Sequence, residues 1–140
     1  MKLLSKGSLV AMSFLFVHSG TLSLSATPPV LEKDVTISKD HHTTSIDCGG
    51  GSVSVKGDDN KITLTGQCGK VSVSGEDNLI QITSAKEIEI SGHDNNINVD
   101  TVAKIIAKGK DNNITWKNGV GGKTPEVTSK GDDNKIVQSK

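Results

Sequence analysis

The sequence predicts an all-β protein, a short parallel β-solenoid of five to six coils with a period of about 17–18 residues. Three observations lead there. A six-residue phrase recurs five times: GDDNKI from Gly57, GEDNLI from Gly75, GHDNNI from Gly92, GKDNNI from Gly109 and GDDNKI again from Gly131. The glycines that open it stand 18, 17, 17 and 22 residues apart. On both sides of the phrase apolar and polar residues alternate, which is the period of a strand and not of a helix.

Columns appear when the copies are aligned on the glycine. Four residues before it stand Val53, Val71, Ile88, Ile105 and Val127, and two before it Val55, Val73, Ile90, Ala107 and Ser129. Five residues after it stand Ile62, Ile80, Ile97, Ile114 and Ile136, and seven after it Leu64, Ile82, Val99, Trp116 and Gln138. Each unit is therefore a short strand, a Gly-x-Asp-Asn corner and a second short strand. One unit cannot bury its few aliphatic side chains alone, but coils stacked about 4.8 Å apart bury Val over Val and Ile over Ile. A meander of antiparallel hairpins is the rival architecture. Hairpins do not need the same residue at the same place in every copy, whereas a stack rewards it.

The elements follow in chain order. Residues 1–25 read as a secretory leader: Lys2 and Lys6, an apolar run from Leu9 to Val17, then small residues before a cleavage point after Ser25 or Ala26. The apolar run is far shorter than the roughly 20 residues of a spanning helix, so no transmembrane span is expected in the mature chain. Residues 26–34 hold Pro28 and Pro29 and read as a linker. The repeat domain is expected over 35–140. A degenerate first coil uses Val35, Ile37, Thr44 and Ile46, with Lys39 in the glycine place. The long last interval carries NGVGGKTPE, residues 118–126, which is expected to bulge as a loop. Ser129 and Gln138 make the final unit atypical, as end coils that face water should be.

Composition narrows the function. The 16 basic residues balance 16 acidic ones, and all of the basic ones are Lys. Tyr is absent and both Phe lie in the leader. Without a basic face, Arg forks or stacking aromatics, nucleic-acid binding is not expected. Cys48 and Cys68 form an even pair in a chain that reads as exported. That favours a disulfide over two free thiols, and the missing His spacing disfavours zinc. Each cysteine precedes a VSV strand, so stacking brings the two near each other.

The run CGGGSVSVKGDDNKITLTGQCGKVSVSGEDNLIQI, from Cys48 to Ile82, resembles the bacterial domain-of-unknown-function family 3060. The resemblance extends to about Gln138 and rests on the Val-x-Val-x-Gly-x-Asn-Asn-x-Val repeat and the cysteine pair. It implies a repeat fold and export, and no known activity. This chain writes Asp-Asn where that family often writes Asn-Asn.

The corner columns carry the chemistry. Gly57, Gly75, Gly92, Gly109 and Gly131 are expected to bend the chain. Asn60, Asn78, Asn95, Asn112 and Asn134 are expected to take left-handed backbone, satisfy turn amides and form a ladder. Asp59, Asp77, Asp94, Asp111 and Asp133 would repel one another if stacked, so something compensates. One answer is local hydrogen bonding with nearby Lys. The alternative is a calcium-stabilised repeat that uses these Asp as ligands. Against it, the opposite half of each coil, GQCGK and TSAKE, lacks the motif.

His41, His42 and His93 fall in corners and read as solvated. The column six after the glycine reads Thr63, Gln81, Asn98, Thr115 and Val137, which is no ice-binding threonine face. No Ser-His-Asp or Cys-His grouping is evident. The reading is of an exported, periplasmic or secreted module, non-catalytic and without a cofactor. Its polar outward columns are expected to lie against glycan, envelope or another protein.

Overall fold

The computed structural model describes residues 33–140. The expected leader over 1–25 and nearly all of the linker lie outside the described residues. From Val35 on the chain is a parallel β-solenoid of about six turns.

Nine strands form it: β1 (Val35–Ile37), β2 (Thr43–Asp47), β3 (Val53–Val55), β4 (Lys61–Val73), β5 (Leu79–Ile90), β6 (Asn96–Ala107), β7 (Asn113–Gly119), β8 (Glu126–Ser129) and β9 (Lys135–Gln138). All their pairings are parallel, which removes the hairpin meander. The register follows the repeat. Val53 pairs with Val71, Val71 with Ile88 and Ile88 with Ile105. Ile62 pairs with Ile80, Ile80 with Ile97 and Ile97 with Ile114. Each coil thus has a first run before the corner and a second run after it.

A third run closes the coil. Cys68, Ala85, Val102 and Gly119 pair in file, as do Gln67, Ser84, Thr101 and Asn118. The first three of that inner file are buried. The core is five files of stacked side chains, with Ile88, Ile90, Ile97, Ile105 and Ile114 fully enclosed. Small side chains in the third run leave room for the branched ones from the other two. At the start of the stack Cys48 and Cys68 are joined by a disulfide, with Cα atoms 4.9 Å apart.

Among the intervals between the repeat glycines, the two that depart from 17 residues do so outside the corner. The 18-residue spacing is absorbed by a register shift between Leu64 and Gln67, where Gly66 adopts a φ of 72°. A left-handed glycine at such a point is the usual way to accommodate one extra residue. The long interval is narrower than the sequence predicts. Asn118 and Gly119 stay paired with Thr101 and Val102, and Glu126 is already paired with Lys104. The excursion is residues 120–125, opening with a short 3-10 turn, Val120–Gly122.

Candidate functional site

The corner is the most regular part of the molecule, and its three named residues divide the work differently from expectation. Asn60, Asn78, Asn95 and Asn112 are each 1% exposed. They stack in a single file. The Asn60 main-chain N–H donates to Asn78 Oδ1, Asn78 to Asn95 and Asn95 to Asn112, each at 3.0 Å. Asn112 continues the file to Asn134 at 3.2 Å. The Nδ2 groups donate backwards to the carbonyl of the preceding coil's glycine: Asn95 to Gly75, Asn112 to Gly92 and Asn134 to Gly109. A buried amide is stable only if such partners exist; the stack provides them for Asn78, Asn95 and Asn112, whereas among the described residues Asn60 Nδ2, against the first corner, has none.

The left-handed residue is the aspartate, not the asparagine. Asp59, Asp77, Asp94, Asp111 and Asp133 have φ between 52° and 55°, and His41 takes the same place at 53° in the first coil. Asp and Asn tolerate this conformation better than most residues, so the Asp column is explained by its backbone. The repeat glycines have no positive φ. They are needed because a Cβ there would overlap the preceding coil's carbonyl oxygen: that of Lys39 at Gly57, of Gly57 at Gly75 and of Gly75 at Gly92.

The Asp side chains point to solvent and do not gather. Asp59 lies 3.3 Å from His41 and Asp111 lies 3.8 Å from Lys110. Among the described residues, no three of His, Cys, Asp or Glu come together as a group that would hold a metal ion. The residues of this column therefore do not fit a calcium site. Asp58, one place earlier, does accept a backbone bond, from Glu76 at 2.8 Å.

The two outward faces differ. Over the first runs lies a charge ladder. Lys70 bonds Glu87 at 3.0 Å and also Glu89, which in turn bonds Lys108. Lys108 and Lys70 together hold the Glu89 carboxyl down at about 2, and the two glutamates raise Lys70, Glu89 first. These charges satisfy one another.

Over the second runs lies a groove of about 470 Å³. It is lined by Thr63, Gln81, Asn98 and Thr115, which are one coil apart, by the edges of Leu64, Ile82 and Val99 next to them, and by Thr83, Asp100, Lys117 and Ser139. The formal charges within it cancel, since Lys117 Nζ sits 2.5 Å from Asp100 Oδ1. The groove thus presents hydroxyls and amides at one side chain per coil, along the stacking axis.

A family model described as protein of unknown function (DUF3060) matches residues 55–98 and, in a second overlapping register, 84–133. The chain belongs to that family. No curated protein and no solved structure matches it. The two overlapping matches span the interior corners, so the DUF3060 pattern is here a pattern of stacked Gly-x-Asp-Asn turns.

In this DUF3060 chain the structure files the corner glycines and asparagines one over another, joins the two cysteines, and leaves the corner aspartates apart in solvent. It shows two features that were not read from sequence. One is the third inner file, whose signal was the small apolar residue ten or eleven places after each glycine. The other is the groove, whose residues six places after the glycine read in the sequence as an irregular column without the threonine repeat of an ice-binding face. The same alternation that marks inward residues marks these outward ones.

Proposed function

We propose that this chain is an exported, non-catalytic binding module that holds an extended, uncharged polymer of the cell envelope, a glycan chain, along the second-run face. The observation that carries the reading is the groove: a neutral file of Thr63, Gln81, Asn98 and Thr115 that repeats at the coil spacing of about 4.8 Å. A polymer whose units advance by about that distance meets an equivalent hydrogen-bonding group at each step. The internal Asp100–Lys117 pair leaves no net charge to attract an ion. Support for a non-catalytic role comes from the side chains themselves. Both cysteines are tied in a disulfide, and His41 is exposed in a corner, paired with Asp59. The disulfide is compatible with an oxidising compartment.

The test is a titration of isotopically labelled protein with neutral oligosaccharides of increasing length, followed by amide chemical shifts. Affinity should rise with chain length until the groove is filled, and shifts should cluster at Thr63, Gln81, Asn98 and Thr115. The double substitution Q81A/N98A should weaken binding about tenfold, the loss of two modest hydrogen bonds. Shifts confined to the Lys70–Glu89 face, or none with any glycan, would overturn the reading.

A further inference from the structure

The groove over the second runs has two unlike walls. One is the file that contains Gln81 and Asn98; the other, two residues further along each strand, contains Thr83 and Asp100. Residues two apart on a strand point to the same side, with their bases about 6.6 Å apart. Between the walls lie Ile82 and Val99, whose side chains turn into the core and are 3% and 2% exposed. The floor is thus paired main chain that carries no side-chain donor or acceptor.

The walls differ in what they offer. Gln81 and Asn98 pair across β5 and β6, and both are exposed. The buried amides of Asn78, Asn95 and Asn112 are spent on their own file, whereas these two face solvent. Each presents amide N–H donors as well as a carbonyl. On the other wall the Thr83 hydroxyl and the Asp100 carboxylate accept. Lys117 engages Asp100 Oδ1, and a carboxylate has lone pairs for further donors. Donors on one wall and acceptors on the other, above a non-bonding floor, fit a group with an acceptor and a donor on opposite edges. A secondary amide in its trans form is such a group. A sugar hydroxyl holds both functions at one oxygen and reaches a single wall.

Taking the groove as the glycan site proposed above, we infer that its ligand is an N-acetylated glycan, whose acetamido groups bridge the two walls where β5 and β6 pair. The acetamido carbonyl accepts from Gln81 or Asn98, and its N–H donates to Thr83 or Asp100. The acetyl methyl rests on the floor at Ile82 and Val99. An extended peptide also carries trans amides, but it advances about 3.4 Å per residue and turns every second one away, out of step with coils about 4.8 Å apart.

The test compares β-1,4-linked tetramers of N-acetylglucosamine and of glucose, which differ only in the acetamido group. In calorimetry the acetylated tetramer should bind about tenfold more tightly, the gain of two modest hydrogen bonds. Q81A/N98A, which changes only exposed side chains, should bring the two tetramers to within about twofold of each other. Bound to the native chain, the ligand's acetyl methyl should show nuclear Overhauser contacts to the Thr83 methyl. Equal affinity for the two tetramers, or a preference that Q81A/N98A leaves intact, would overturn the inference while leaving the groove a glycan site. A capped peptide of Ser and Gly that binds more tightly than either sugar would overturn it as well. If neither tetramer moves the Gln81 and Asn98 amide shifts, the inference and the glycan reading fall together.

Discussion

At the corner each residue answers a separate demand, and substitutions should separate them. Gly92 has no room for a side chain because the Gly75 carbonyl fills the space. Gly92→Ala should therefore destabilise by about 3 kcal/mol or more, as backbone strain of this kind does. Lys39→Ala, at the same place in the first described coil and exposed, should be within about 0.5 kcal/mol of native, because exposed surface changes are small. Both are read from urea unfolding midpoints. Asp94 takes a φ of 52°. Asp94→Gly should be close to neutral, whereas Asp94→Val should cost about 1–2 kcal/mol for forcing a branched residue into left-handed backbone. Asn95→Ala should cost about 3 kcal/mol, because it strands the buried Asn78 N–H and the Gly75 carbonyl at about 1–3 kcal/mol each. The sequence identifies all three columns and the Asn ladder, but it assigns the left-handed backbone to Asn where Asp adopts it, and a bend to Gly where the need is space. Repetition shows that a residue is required; it does not say whether the side chain, the φ angle or the missing Cβ is the requirement.

At the level of single elements, the first-run face carries the acid sensitivity. The Glu89 carboxyl is held near 2 by Lys108 and Lys70, below its ordinary value of 4.5. A carboxyl with a lowered folded value binds protons less readily than in the unfolded chain. Its contribution is thus complete above about 4.5 and is lost as pH falls towards about 2. Melting of the native chain should drop across that window, and Glu89→Gln should flatten the drop while lowering the plateau above it. The disulfide acts at a different place. It ties Cys48, the residue after β2, to Cys68 in β4 across a separation of 20 residues. Reduction should cost about 2–4 kcal/mol and should loosen the first coil before the others. Register was legible because the apolar columns are strict; the strand ends were not, since β4, β5 and β6 run on from one corner to the next as strands of 12 or 13 residues where the sequence predicts short ones. The Lys70–Glu87–Glu89–Lys108 ladder was not, since the outward columns mix signs from coil to coil and pair across two columns at once.

For the whole rod, each coil touches only its neighbours, so stability is close to a sum of coil-to-coil interfaces. Amides of β5 and β6, with coils on both sides, should exchange most slowly, and those of β1, β8 and β9 fastest. Ile97→Ala, in the fully enclosed centre, should cost about 2–5 kcal/mol. Millimolar calcium or chelator should leave the melting temperature unchanged, because the Asp column stands apart in solvent. A calcium-dependent shift would reopen that column as a ligand set. The solenoid itself was legible from the period and the alternation, and the parallel register follows from it. The third run was not. It lacks a fixed phrase, and the coil changes length there, so alignment on the glycine blurs it.

That tolerance of length has a practical consequence. One extra residue is taken up beside Gly66 and an excursion of residues 120–125 leaves at Gly119, yet the pairing of β6 with both β7 and β8 is kept on either side. The stretch between Gly119 and Glu126 is thus a natural port for grafted sequence. A peptide epitope or a small folded domain inserted there would be displayed from one edge of a rigid rod at a known height above its base, with the groove and the corner file left in place.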